Sequence, residues 1–297
     1  MLAYTNRTLV QINPRGSSAV RERFAENPEF RRLLAGDADL SLPRIALEIA
    51  RDSYPSLDVE VYLARIEELA ARARARCVEG SRAKVLLGQI NWILFVEEGF
   101  QGNAVEYYDP RNSYLNEVLD RKTGIPISLS VLYAAVARSI GLDLAGVNLP
   151  AHFLLRVEGS DPPLFVDPFR EGMTLDEEGC RRQVAAAVGH PVPLVSQQFE
   201  PTSVVATVAR MLRNLKAIYV QEDDFASALP VVRRLSAIDP KNYDELRDWG
   251  LLAYQAGRVG ESVSPLARYS EARPRAADTP AVLELLRTAR REVARSN

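Results

Sequence analysis

The chain has 297 residues, 37 basic and 39 acidic side chains and 47% hydrophobic residues, enough for one large domain or two ordinary ones with separate cores. The near-even charge excludes a sequence-wide field that would draw it to phosphate backbones or anionic lipid, and no basic stripe interleaved with aromatics supplies a local one. No apolar run approaches a membrane span and MLAYTNRTLVQINPRG lacks the layout of a secretory leader, so a cytoplasmic protein with neither membrane nor nucleic-acid partner is expected.

Residues 1–36 show no sustained period and are expected to form an N-terminal arm. The first firm helix signal is S-L-P-R-I-A-L-E-I-A, in which Ser41 can cap and Pro43 falls in the first turn, where a missing N–H does no harm. Asp58 caps a second helix with Tyr62, Ile66, Leu69 and Ala73 along one face. A third, over 82–97, is apolar nearly all round and is expected to be buried. Next comes a long connection, E-E-G-F-Q-G-N-A-V-E-Y-Y-D-P-R-N-S-Y-L, then a short helix capped by Asn112 or Ser113. A helix from Pro126 to Gly141 follows.

Beyond Gly141 the period changes from 3.6 to 2, and DLAGVNL, HFLLRVEG and LFVDPF read as three antiparallel strands. From 202 the chain is helical again, and a shift of 34 residues places Phe225 over Val259, Leu229 over Val263 and Pro240 over Pro274. That period belongs to tetratricopeptide repeats, here two units and a terminal helix, whose open end needs a cover that the preceding domain is expected to supply. The expected organisation is an arm over 1–36, an α+β core over 37–200 and helical repeats over 201–297.

Cys77 and Cys180 lie in separate helical segments without C-x-x-C spacing, so neither a disulfide framework nor a metal site is expected, and no cofactor is. His152 is one of only two histidines, and Asp167 ends the next strand. If the strands pair through G-S-D-P-P, the carboxylate can orient the imidazole as in a nucleophile–base–acid triad. The plainer alternative is a core histidine and an Asx turn before Pro168, and spacing alone favours it. Glu97 or Glu98 could pair with His152, although a solvated helix end is the default. His190 has no visible partner.

The blocks GFQGNAVEYYDPRNSYLNEVLDRKTGIPISLSVLY, GVNLPAHFLLRV, VDPF and RMLRNLKAIY closely resemble the bacterial SirB-like proteins. These join a transglutaminase-like core to C-terminal tetratricopeptide repeats, and a related core occurs in an animal F-box protein. The resemblance covers residues 40–297. Ala151 departs from the family's usual glycine, and Arg170-Glu171 from its usual Asn-Gly-rich turn.

In active transglutaminase-like enzymes, the resemblance implies, a cysteine opens the helix after a Gly-x pair, and a histidine and an aspartate follow on the next strands. Laid on this chain without gaps, Gly124 and Gly141 take the two glycines, and Pro126 takes the cysteine. A thiol there would be activated by the helix N-terminus, whereas proline supplies neither nucleophile nor N–H donor. Ser128 lies roughly 200° round the helix, and Ser130 returns to the face about 6 Å deeper. For both serines a bond to the preceding turn's carbonyl is the plainer role. Thr123, one turn upstream, stays open as a substitute.

These residues support a binding protein. His152 and Asp167 form a vestigial dyad, and Asn103, Tyr107, Tyr108, Asp109, Arg111, Asn112 and Ser130 line the cleft. Asp109 and Asn112 also read as turn and cap residues, and the tyrosines as loop packing. A protein or peptide partner is expected in the cleft or the repeat groove. The rival is an amide, ester or isopeptide hydrolase or acyl transferase that uses the dyad with a non-cysteine nucleophile. A third reading is a regulatory adaptor with a purely structural cleft.

Overall fold

The computed structural model describes residues 24–296, which form two compact units, one of residues 41–211 and one of residues 24–40 with 212–296. Helix α1 (Pro28–Ala35) falls in the second unit. Of the arm expected over 1–36, residues 1–23 lie outside the described residues.

The first unit opens with α2 (Leu42–Ala50), where the Ser41 hydroxyl accepts the Arg44 N–H at 3.4 Å, and α3 (Val59–Ala75), where Asp58 accepts the Glu60 N–H at 3.0 Å. Helix α4 (Ala83–Asn91) runs into a π-helical turn, Trp92–Glu97. It is not buried all round as expected. Leu87, Ile90, Ile93 and Leu94 enter the core, while Val85, Trp92 and Val96 are exposed, because only one side packs on its neighbours.

Strand β1 (Gln101–Gly102) pairs in parallel with β2 (Thr123–Gly124). Between them lie a 3-10 turn, Pro110–Asn112, and α5 (Leu115–Arg121). Tyr114, not Asn112 or Ser113, occupies the α5 cap position and makes no side-chain cap bond. The Asn112 amide is spent within the loop, where it donates to the Glu106 carbonyl at 2.7 Å.

Helix α6 (Pro126–Ser139) forms the centre of the core, with Pro126–Tyr133, Val136 and Ala137 all buried. A four-stranded antiparallel sheet follows in the order β3 (Leu144–Leu149), β4 (His152–Val157), β5 (Phe165–Asp167) and β6 (Met173–Leu175). The fourth strand was not among those expected, since three residues with two of them exposed carry no readable alternation. Strand alternation divides the sheet's two faces. Phe153, Leu155, Val157 and Val166 join the α6 core, while Leu154 and Phe165 join Cys180 and Val184 of α7 (Glu177–Val188).

Both departures from the family pattern coincide with left-handed backbone. Ala151 has φ +54° in the β3–β4 turn and Glu171 has φ +53° in the turn after β5, conformations that cost a residue with a Cβ about 1–2 kcal/mol. Next to Glu171, a Cβ on Gly172 would come within 1.9 Å of the Asn91 side chain, which donates to the Gly172 carbonyl at 3.1 Å. Asn91 also accepts from the Tyr133 hydroxyl at 2.7 Å. A half-buried amide of α4 thus pins the turn that follows Asp167.

The second unit continues with α8 (Val204–Gln221), which begins in the first, and then α9 (Phe225–Ile238), α10 (Tyr243–Gln255), α11 (Val259–Ala272) and α12 (Thr279–Ser296). Helices α9 and α11 start 34 residues apart, the spacing read from the sequence. Gly250 lets α10 lie against α11, since a Cβ there would meet Leu266 at 2.5 Å. Helix α1 packs on α9 through Arg234, whose guanidinium lies over the rings of Phe24 and Phe30 at 5.0 and 4.6 Å. The repeats therefore take part of their cover from the N-terminal segment of their own unit.

Relieving the strained turns should stabilise the first unit. Ala151→Gly and Glu171→Asn are each expected to add about 0.5–1 kcal/mol, less than the full left-handed penalty because glycine costs chain entropy and asparagine is not strain-free. Urea unfolding checks this, and a loss of stability in either variant would contradict the turn assignment.

Candidate functional site

His152 begins β4 and Asp167 ends β5. The register Leu155↔Val166 and Arg156↔Phe165 sets Asp167 opposite Leu154, one diagonal step from His152 on the same face. The side chains meet, His152 Nε2 to Asp167 Oδ2 at 2.8 Å, with the imidazole 8% and the carboxylate 0% exposed. Asp167 Oδ1 accepts the Phe169 N–H at 3.1 Å, and Arg170 Nε stands 3.9 Å from Oδ2. With Nε2 donating to the carboxylate, Nδ1 is left as the acceptor, the tautomer a general base needs.

At the start of α6, Pro126 takes the first helical position and is buried. Ser128 does not face the dyad. Its hydroxyl accepts the Ile125 N–H at 3.1 Å and donates to the Asn112 carbonyl at 2.6 Å. Its Ile125 carbonyl contact at 3.1 Å is the bond expected to the preceding turn. Ser130 differs from expectation, for its hydroxyl is buried and has no partner among the described residues. Thr123 donates to the Arg121 carbonyl at 3.1 Å and Cys77 to the Ala73 carbonyl at 3.2 Å. Among the described residues, no hydroxyl or thiol bonds the His152 imidazole.

Cys180 is buried on the α7 side of the sheet, against Leu154 and Phe165. Burial pushes its thiol up to about 12, helped by the negative charges of Asp176, Asp167 and Glu177. The Cys77 thiol is likewise raised by burial. Neither sulfur sits in an environment that makes a thiolate.

The loop residues divide into those that build the loop and those it presents. Asn103 accepts the Glu106 N–H at 2.9 Å and donates to Asn112 Oδ1 at 3.3 Å, while the Asn103 N–H ties to the Gly124 carbonyl at 2.9 Å. Asp109 accepts the Arg111 N–H at 2.9 Å and pairs with both Arg111 and Arg121, which together hold its carboxyl below the usual range against the opposing effect of burial. Asn103, Asp109, Arg111 and Asn112 are therefore spent on the loop. Tyr107 is half-buried with its ring 6.3 Å from that of Phe169, and Tyr108 is exposed against Tyr107.

The two glutamates at the end of the π-helical turn after α4 do not reach His152. Glu97 pairs with Arg72, and Glu98 with Arg72 and Lys122. His190 is exposed, with its Nδ1 3.1 Å from the Pro191 carbonyl. Among the described residues no group of three His, Cys, Asp or Glu could hold a metal ion, and no helix is long and apolar enough to cross a membrane.

Three site residues escaped the sequence reading. Asn91 pins the turn after Asp167, and Phe169 lies so close to β1 that a Cβ on Gly102 would fall 2.6 Å from its ring. Arg210 of α8 donates to the Leu149 carbonyl at 2.9 Å, at the end of the hairpin that carries His152. Asn91 and Arg210 left no local signal, since each acts on a backbone carbonyl far along the chain.

Comparison with known proteins fits this geometry. The profile of the transglutaminase-like superfamily matches residues 60–213, and that of the tetratricopeptide repeat matches residues 215–287. A "UPF0162 protein" of Xylella fastidiosa is 37% identical over 241 residues, covering 80% of this chain and 86% of that protein. One from Vibrio cholerae is 27% identical over 214 residues, 71% of this chain and 78% of that protein. The mouse "F-box only protein 21" is 35% identical over 145 residues, 46% of this chain and 22% of that protein. No solved structure matches the chain at a significant level.

The raised thiol has a direct consequence. At pH 8 a group with a value of about 12 is thiolate in only about one molecule in ten thousand, so Cys180 should resist iodoacetamide in the native protein and react after unfolding. Peptide mass spectrometry reads the difference, and rapid native labelling of Cys180 would restore it as a nucleophile.

Proposed function

The chain belongs to the transglutaminase-like superfamily and, within it, to the bacterial UPF0162 proteins, and on that premise we propose that it is a binding scaffold whose core cleft holds a polypeptide segment without cutting it. The carrying observation is Pro126 at the first position of α6, where the family pattern aligns a cysteine. Proline offers neither the attacking atom nor a backbone donor for an oxyanion. The neighbouring groups do not take over: Ser128 and Thr123 are bonded elsewhere, and Cys180 sits in an apolar cluster.

The cleft on this reading is lined by His152, Asp167, Tyr107 and Tyr108, with Asn103, Asp109, Arg111 and Asn112 shaping it from behind and Ser130 as an unspent hydroxyl. The repeats supply a second surface for a protein partner. Its partly buried Lys216 and Arg247 are already matched: Lys216 meets Glu245 and Asp248 at 2.5 and 2.9 Å, and Arg247 meets Asp248 and Asp278 at 2.9 and 2.7 Å. A partner that docks there by apolar and neutral contacts fits better than an acidic tail. The two separately placed free thiols fit a cytoplasmic setting.

One observation favours a second reading, hydrolysis by an activated water. The His152–Asp167 bond is intact at 2.8 Å and leaves a base poised on Nδ1. Two measurements separate the readings. Wild type and His152→Ala are expected to give the same background rate on a panel of esters, amides and isopeptides, and a rate that disappears with the imidazole would establish the hydrolase. Pro126→Cys is expected to create a thiol that reacts with iodoacetamide at pH 7 at least about tenfold faster than Cys77, and to lose that advantage in Pro126→Cys/His152→Ala. A new thiol no faster than Cys77 would mean that residue 126 is not the nucleophile position.

A further inference from the structure

Arg210 is a cation without an anion. Within the first unit Arg72, Arg111, Arg121 and Arg156 each face a carboxylate, at 2.7, 2.8, 3.2 and 3.0 Å for the partners Glu97, Asp109, Asp109 and Glu200. Arg210 has none among the described residues. One of its five N–H donors goes to the Leu149 carbonyl at 2.9 Å, and its guanidinium carbon lies 5.7 Å from the centre of the Phe153 ring. The side chain is half-buried, so the remaining donors can be reached from outside.

Its surroundings are those of a recognition site. Leu149 immediately precedes the Pro150-Ala151 turn into His152, so the guanidinium stands at the end of the hairpin that carries the dyad. Tyr107 joins the two: its ring meets Phe169, whose N–H binds Asp167, and its phenol lies within the field of Arg210. That hydroxyl also bonds no described residue. Burial pulls the Arg210 guanidinium down to about 10, so it remains charged at neutral pH while poorly hydrated. Holding such a charge unpaired is costly, and a ligand that brings the counter-charge recovers that cost.

We propose that Arg210 and Tyr107 anchor a carboxylate of the polypeptide held beside the His152–Asp167 dyad. Phosphate is a poorer match, because a group with nearly two negative charges would leave one uncompensated against a single cation. A carboxylate suits the planar guanidinium fork, with the phenol as a further donor to its second oxygen. The group can come from a chain terminus or from an Asp or Glu side chain. This assignment deepens the binding reading of the cleft and rests on it.

Three probes test it on the full chain labelled with 15N: N-acetyl-trialanine as the free acid, the same peptide as its amide, and N-acetyl-Ala-Glu-Ala amide. The readout is the Arg210 Nε–H signal, assigned by its absence in Arg210→Met. The free acid, the glutamyl peptide or both should shift that signal saturably and bind at least about tenfold tighter than trialanine amide, the size of a charge-assisted bond. Whichever carboxylate peptide binds identifies the source. Tyr107→Phe, which leaves the hairpin contact intact, should weaken that binding by about three- to tenfold. Equal binding of acid and amide would refute the anchor yet leave a peptide-binding cleft standing. Saturation by no carboxylate probe, or an acid preference that survives in Arg210→Met, would also overturn it. Failure of the scaffold reading looks different, since it appears as His152-dependent turnover.

Discussion

The junction between α6 and the loop before it depends on one hydroxyl. Ser128 takes the Ile125 N–H and gives its proton to the Asn112 carbonyl, so it fastens the start of α6 to the loop that carries the tyrosines. Helix N-termini leave backbone donors unsatisfied, and proline at 126 has already removed one. Gly124 must then be glycine for packing, because a Cβ there would lie 2.8 Å from that hydroxyl. Each of these bonds contributes only about 1 kcal/mol made, but leaving a buried partner unmade costs about 1–3. That asymmetry holds the junction in one arrangement.

The dyad is held in place by strain and by packing together. Its two residues sit beside turns in which Ala151 and Glu171 adopt left-handed backbone, conformations that persist only where the surroundings over-determine them. Here they do. Arg210 grips the Leu149 carbonyl on one side, and Asn91 fills the space above Gly172 on the other. The aspartate's own backbone carbonyl accepts the Gly172 N–H at 2.9 Å, which closes the turn. A dyad fixed in this way is compatible with binding as well as with chemistry.

What could be read from the sequence was what is local. The caps at Ser41 and Asp58, the proline start of α6 and the 34-residue spacing of α9 and α11 depend on neighbours within a few residues, and all stand where the pattern put them. Helix α1 could not be read, because Phe30 is buried by Arg234, which lies some two hundred positions on and so leaves no trace in any window. The same holds within the site. Strand pairing offered the meeting of His152 and Asp167 as one option, which the family resemblance and not spacing favoured, but Asn91 and Arg210 act on carbonyls 81 and 61 residues away, and a carbonyl has no residue type to recognise. Asn112 was misassigned as a cap because its amide had a loop carbonyl to satisfy, and that competition is invisible to propensity.

Electrostatics differs between the repeats and the hairpin end of the core. In the repeats the guanidinium and ammonium groups of Arg213, Lys216 and Arg233 each meet a carboxylate of another helix, and Arg247 meets Asp278 in the turn before α12. Such pairs fix helix register but leave little net field to select a charged partner. In the core the loop carboxylate of Asp109 is neutralised twice over, while Arg210 at the hairpin end has no carboxylate partner among the described residues. Specificity arises where a poor ligand leaves a polar group unpaired, because the penalty falls on the wrong ligand and not on the right one. On the proposed reading, a protein that must choose among segments of similar shape gains that discrimination from Arg210, a poorly hydrated cation with no carboxylate among the described residues.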